Sequence, residues 1–149
     1  MTKQYHHIQV AVDGSKEADL AFKKAVAAAK RNDATLEILH VIDTRSFQNV
    51  SSFDSQMVEQ VSADAKKKLQ DYYDTAESAG VKDSHYAIEF GAPKEIIAHQ
   101  FPQKHDVDLI VIGATGLNAV ERILIGSVTE YVTRTADCDV LVCRSTETA

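Results

Sequence analysis

Five short runs of β-forming apolar residues alternate with four stretches of helical period along this 149-residue chain. That alternation constrains the fold more than any other feature. His7 to Val12 is the first strand-like run, and it stops at Asp13-Gly14-Ser15. From Lys16 to Arg31, residues Ala18, Ala21, Phe22, Ala25, Val26 and Ala29 recur at threes and fours, which predicts a helix with one apolar stripe. Ser15 is placed to cap it. Leu36 to Ile42 is the second strand, followed by a polar, irregular loop over Asp43 to Phe53. Met57, Val58, Val61, Ala65, Leu69, Tyr72 and Ala76 mark a second helix that Gly80 ends.

The rest of the chain continues in the same way. His85 to Phe90 alternates as a third strand, and Pro93 suits the first turn of a helix reaching about Gln103 with Ile96 and Ile97 inward. Val107 to Ile112 is a fourth strand, Ser127 to Thr135 a helix, and Val140 to Cys143 the last strand. Strands alternating with helices imply a doubly wound, five-stranded parallel sheet, Rossmann-like, with helices on both faces. Runs such as Leu109 to Ile112 are apolar on both faces, as buried parallel strands are. No linker or repeat divides the chain, so residues 1–149 are expected to form one α/β domain.

Composition removes several classes of function. Lys and Arg number 16 against 22 Asp and Glu, a net charge of -6, and the basic residues are scattered. A long nucleic-acid footprint is not expected. No apolar run approaches the roughly 18 residues that span a bilayer, and the start of the chain carries no secretory pattern. A cytoplasmic protein without a membrane partner is the expectation. The two cysteines, Cys138 and Cys143, are five apart in a strand-like run, which puts them on opposite faces and out of reach of each other. The histidines show no zinc-binding spacing, so no metal-ligating residue is assigned.

In open α/β sheets, ligands bind beyond the C-terminal strand ends, where the strand order reverses. The richest such end follows the fourth strand: Gly113 and Gly116 flank a two-residue gap, and Gly126-Ser127 opens a helix after nine more residues. Glycines permit positive φ and close approach of backbone amides to a ligand. A helix N-terminus carries free N–H groups and a positive dipole end, which suits phosphate. There is no GxxxxGK[ST] loop and no GxGxxG fingerprint, so neither the P-loop nor the dinucleotide signature accounts for these glycines. Asp13, taken alone, is as well read as the turn residue of an Asp-Gly pair as a ligand to a ribose hydroxyl. Val41 alone would read as core.

This glycine run, together with IQVAVDGS near the start and DVLVCR near the end, resembles the universal stress proteins in their ATP-binding branch. The resemblance covers nearly the whole chain. It implies that Gly113, Gly116, Gly126, Ser127 and the Val128 backbone hold the phosphates of ATP. It implies also that Ala11, Val12 and Asp13 meet the adenosine end, Val41 lines the adenine slot and Ile112 edges the ribose. In that family the last strand pairs across a two-fold axis into a homodimer, here through Val140, Leu141 and Val142. Asp139 departs from the family, which usually has Pro just before that strand.

The expected function is an ATP-binding stress-response regulator in which nucleotide occupancy biases conformation or partner binding. Mg2+ or another divalent cation would bridge the phosphates. No positioned base or arginine finger is evident, although Arg122 is near enough in sequence to touch a phosphate, so no catalytic residue is assigned and turnover is expected to be slow or absent. A slow ATP-hydrolysing enzyme of the same fold is the alternative. A phospho-receiver lacks its acidic cluster and phosphorylatable Asp here, an ATP pyrophosphatase lacks its SGG loop, and a flavin carrier lacks an FMN phosphate loop. Ser15 reads as a helix cap rather than a nucleophile. His40 reads as a semi-buried strand histidine, Lys66-Lys67-Lys68 as a solvated face, and Tyr72 and Tyr73 as one ring inward and one outward. The loop over 43–53 reads as either a lid over nucleotide or a plain connection.

Overall fold

The computed structural model describes residues 4–47, 55–116 and 125–145. Five strands, β1 (His7–Ala11), β2 (Thr35–Asp43), β3 (Ser84–Gly91), β4 (Leu109–Gly113) and β5 (Asp139–Cys143), form one sheet in the order β3-β2-β1-β4-β5. Every neighbouring pair is parallel. The helices are α1 (Lys16–Asn32), α2 (Ser55–Ala79), α3 (Pro93–Glu95), α4 (Phe101–His105) and α5 (Ser127–Thr135), with a π-helical turn over Ile96–Gln100 joining α3 to α4. The doubly wound α/β reading therefore holds.

Strand alternation divides the core between the two faces of the sheet. Ile8, Val10, Leu36, Ile38, Leu109 and Val111 pack with Phe22, Ala25 and Leu69, residues of α1 and α2. Leu39, Ile110 and Ile112 pack on the opposite face with Ile97, Phe101 and Val132. Cys143 belongs to the first cluster and Cys138 borders the second, so the two free thiols stand on opposite sides as the odd spacing requires.

Local chemistry explains the boundaries. The Ser15 side chain accepts the Ala18 N–H at 3.1 Å and starts α1, while Asp33, with φ 51°, turns the chain out of it. Gly80, with φ 105°, follows α2. The π turn comes from Pro102, one residue inside α4, because its ring nitrogen has no hydrogen to give a helical carbonyl. The chain widens there, with the Phe101 N–H on the Ile96 carbonyl.

Two expectations need correction. The expected loop over 43–53 is ordered at its start: Asp43 still belongs to β2, and Thr44–Phe47 form a single 3-10 turn. Residues 48–53 lie outside the described residues. Tyr72 and Tyr73 both pack against the core rather than dividing between core and solvent. Each ring leans on the sheet side of α2 and sends its hydroxyl to a carboxylate, Asp19 and Glu77 respectively. Met57 lies in α2 as expected and is 38% exposed, while Ala65, Leu69 and Ala76 of the same helix are buried.

Candidate functional site

The strand order reverses between β1 and β4, and a cavity of about 530 Å³ opens there. Ala11, Val12 and Asp13 line it from the end of β1, and Val41 from β2. Ile112 and Gly113 come from β4, Gly116 from the loop after it, and Gly126, Ser127 and Val128 from the start of α5. Residues far apart in the chain thus meet around one space, and all ten that the sequence singles out are among them. Arg122 lies outside the described residues.

Asp13 does two things at once. Its Oδ1 accepts the Ser15 N–H at 2.9 Å, which makes it the turn residue that launches α1. Its Oδ2 lies under Gly116, 2.8 Å from where a Cβ would stand. The turn and ligand readings of Asp13 are therefore compatible.

The glycines of the motif serve proximity rather than unusual dihedrals. Positive φ occurs at Gly14, Gly80 and Gly91 and not at Gly113, Gly116 or Gly126, so the expectation of positive φ in this motif is corrected. A Cβ on Gly113 would lie 2.8 Å from the backbone carbonyl carbon of Glu17, so this glycine lets α1 lie close against β4. Gly126 differs. Its φ is -70°, and a Cβ there would meet nothing nearer than 3.5 Å. Among the described residues neither space nor backbone geometry demands it.

Gly126 is the N-cap of α5 and makes no side-chain capping bond to that helix. The loop is pinned on either side of its tip: the Gly126 N–H donates to the Ala114 carbonyl at 2.7 Å, and the Ala114 N–H to the Cys143 carbonyl at 2.8 Å. Thr129 Oγ1 donates to the Gly113 carbonyl at 2.7 Å and fixes the first turn of α5 against β4. Leading helical amides have no partner within their own helix, and here they carry the positive dipole end to the cavity wall. That arrangement attracts an anion.

The remaining wall is largely apolar and includes residues the sequence did not nominate. Leu39, Pro93 and Ile97 join Val41 and Ile112. His40 also lines the space, with its Nδ1–H donating to the Val12 carbonyl at 2.8 Å, so its semi-buried, hydrogen-bonded reading stands. Thr115, between the first two motif glycines, donates its hydroxyl to Glu17. Asp43 sits at the rim, held by Arg45 at 2.7 Å, and that guanidinium holds the carboxyl below the usual aspartate range. No lysine or arginine lines the cavity among the described residues. The position of Thr115 between glycines was a usable signal. Ile97 and Pro93 carried none, because only the chain's return over the sheet brings them there.

Comparison with known proteins agrees with this geometry. A sequence model of the universal stress protein family matches residues 4–144. A relative from Staphylococcus aureus (strain USA300), named as a universal stress protein, is 48% identical over 143 residues, which cover 96% of this chain and 86% of the relative. The structure of the hypothetical protein MJ0577 superimposes with a TM-score of 0.87 at 29% identity, covering 97% of this chain and 99% of that one. A universal stress protein solved in complex with cAMP gives a TM-score of 0.71 at 26% identity, covering 94% and 97% of the two chains. With the glycine run, the strand order and the match over almost its whole length in agreement, this chain belongs to the universal stress protein family.

Proposed function

We propose that the cavity binds an adenine nucleotide, ATP above all, and that occupancy biases the protein's conformation or its hold on a partner. One observation carries this reading: a single cavity joins an apolar slot at Val41, Ile97 and Ile112 to the N-terminus of α5, where Gly126 makes no side-chain capping bond. A purine ring suits the slot and a phosphate chain suits the helix end. Between them, Asp13 offers a carboxylate to a ribose hydroxyl. The relative of this fold solved with cAMP supports an adenine nucleotide as the ligand class.

Gly113, Gly116, Gly126, Ser127 and the Val128 amide are the proposed phosphate side. Ala11, Val12, Asp13, Val41 and Ile112 are the proposed nucleoside side. No group of three or more His, Cys, Asp or Glu side chains forms a cation cage among the described residues. A divalent cation such as Mg2+ would therefore arrive with the nucleotide, held by phosphate oxygens and water, with hydroxyl or carboxylate oxygens of Thr115, Ser127 and Asp13 near enough in the same cavity to assist. Slow or absent hydrolysis is part of the proposal, as the sequence offers no evident positioned base or arginine finger.

The proposed partner at β5 is a second copy of the chain. This strand is a sheet edge, and Leu141 on it is 39% exposed. Isologous pairing through Val140, Leu141 and Val142 would cover that edge. Among the described residues no helix is long and apolar enough to cross a membrane. A cytoplasmic location is proposed on the nucleotide reading.

The test is mass spectrometry of whatever small molecule acid releases from the purified protein, followed by titration of the emptied protein with ATP and MgCl2. An adenine nucleotide and saturable ATP binding are expected. A released flavin, or no ATP binding by the emptied protein, would overturn the reading.

A further inference from the structure

We propose that Gln9 is a positioning residue for the cavity wall: its side-chain amide supplies the N–H that Pro102 cannot give, and so fixes Ile97. This rests on the nucleotide reading of the cavity, which Ile97 lines.

Gln9 sits in the middle of β1, the central strand, and is fully buried. A neutral polar side chain at that place has no obvious use to the core, where a leucine or valine would pack as well. Its Nε2 donates to the Ile97 carbonyl at 3.0 Å. The other amide atom, Oε1, has no hydrogen-bond partner among the described residues. The group is thus retained for one bond and leaves its acceptor unused.

The backbone explains why that bond is needed. In the π turn the Phe101 N–H goes to the Ile96 carbonyl, five residues back. The next carbonyl in that register, that of Ile97, would look to residue 102, which is proline and has no N–H. The Ile97 carbonyl is therefore orphaned by the helix itself and is supplied across the sheet interface by Gln9. Ile97 is buried and packs with Leu39, Ile110 and Ile112, so its backbone position sets how far this wall reaches into the cavity. The sheet centre and the slot wall are joined by one side chain.

The pairing predicts a rescue. Gln9→Met keeps the volume and removes the donor. Pro102→Ala restores a backbone N–H, and in either π or α register the Ile97 carbonyl then gains a helical partner. Four proteins are compared: wild type, Gln9→Met, Pro102→Ala and the double variant. Each is titrated with ATP and MgCl2, and the Ile97 δ-methyl signal is followed by NMR without nucleotide. Gln9→Met is expected to shift that methyl signal and to weaken ATP binding about fivefold, the change that one neutral hydrogen bond represents. Pro102→Ala in the same chain should return affinity to within about twofold of wild type. Gln9→Met should lower the unfolding temperature slightly, because the Ile97 carbonyl is left without a donor while the unpartnered Oε1 is removed as well.

Wild-type affinity with an unmoved methyl signal in Gln9→Met would overturn the proposal. So would a double variant as weak as Gln9→Met. If Gln9→Met alone does not fold, the double variant decides: recovery of fold and affinity supports the pairing, and failure of either overturns it. Should wild type bind no ATP, the nucleotide reading fails by itself, while the methyl shift and its reversal by Pro102→Ala still decide whether Gln9 positions Ile97.

Discussion

A Cβ on Gly116 would stand 2.8 Å from Oδ2 of Asp13, so the loop after β4 and the exit of β1 touch where only a hydrogen fits. In Gly116→Ala the Asp13 carboxylate must turn aside. Because the obstacle is the far end of a side chain at an exposed loop, the fold should tolerate the change. The cavity should not: we expect ATP affinity to fall at least about tenfold, with the unfolding temperature within about 2 °C of wild type. Unchanged affinity, measured by isothermal titration, would remove the phosphate side from this loop.

Gly113→Ala should behave in the opposite way. Its Cβ would meet the backbone of Glu17 at 2.8 Å, and a helix backbone cannot step aside as a side chain can. The methyl must push α1 away from β4, at a cost of about 1–3 kcal/mol, read as a lower midpoint in urea unfolding. Equal stability of Gly113→Ala and wild type would show that α1 shifts freely on the sheet.

Much of this architecture was legible in the sequence, because the alternation of period-2 and period-3.6 apolar patterns reports burial, and burial decides the elements. The cavity-lining residues were legible where local chemistry marks them: Asp13 by its Asp-Gly turn, Gly126-Ser127 by the helix they open. Other parts depend on partners that no local pattern shows. The π turn over Ile96–Gln100 follows from Pro102 together with a donor on β1, 88 positions before Ile97. Tyr73 reads as solvent-facing from its place beside Tyr72, yet it packs against Tyr86 of β3, with ring centroids 6.1 Å apart.

The Asp43–Arg45 pair gives a pH dependence of known sign. Hydrogen bonding to Arg45 holds the Asp43 carboxyl below its ordinary value. A group with a depressed folded pKa adds stability that is present above the unfolded value, near pH 4, and is lost as pH falls through the folded value. The pair is partly exposed, so the effect is small and screened by salt. Arg45→Gln should therefore lower stability slightly at pH 7 and leave it unchanged in strong acid, so that the acid-side rise in stability toward pH 4 is smaller. Superimposable acid unfolding curves for the two proteins would show that the ion pair does not persist in solution.

Burial pushes both thiols up, Cys138 with help from Asp108 and Cys143 with help from Glu17. A raised thiol pKa means little thiolate near neutrality, and the two sulfurs face opposite sides of the sheet. Native protein at pH 7.5 should react with iodoacetamide far more slowly than a free thiol, with Cys143, 1% exposed, slower than the half-buried Cys138. Urea should release both. Rapid alkylation of Cys143 in the native state would mean that the β5 edge opens readily.

The β5 edge carries the last expectation. Leu141 is exposed there while Val140 and Val142 lean partly on the core, so the strand shows an apolar side chain and, among the described residues, an edge with no further strand beyond it. Asp139, at the head of the strand, accepts a hydrogen bond from the Tyr5 hydroxyl at 2.7 Å, which ties this end of the edge to the residues before β1. A charge at Leu141 would be repeated across a two-fold axis and face its own copy. Leu141→Asp should therefore convert a dimer to a monomer in sedimentation, with the far-ultraviolet circular dichroism unchanged. Leu141→Val, which keeps an apolar surface, should remain dimeric. If both variants sediment as wild type does, the second copy does not sit on β5.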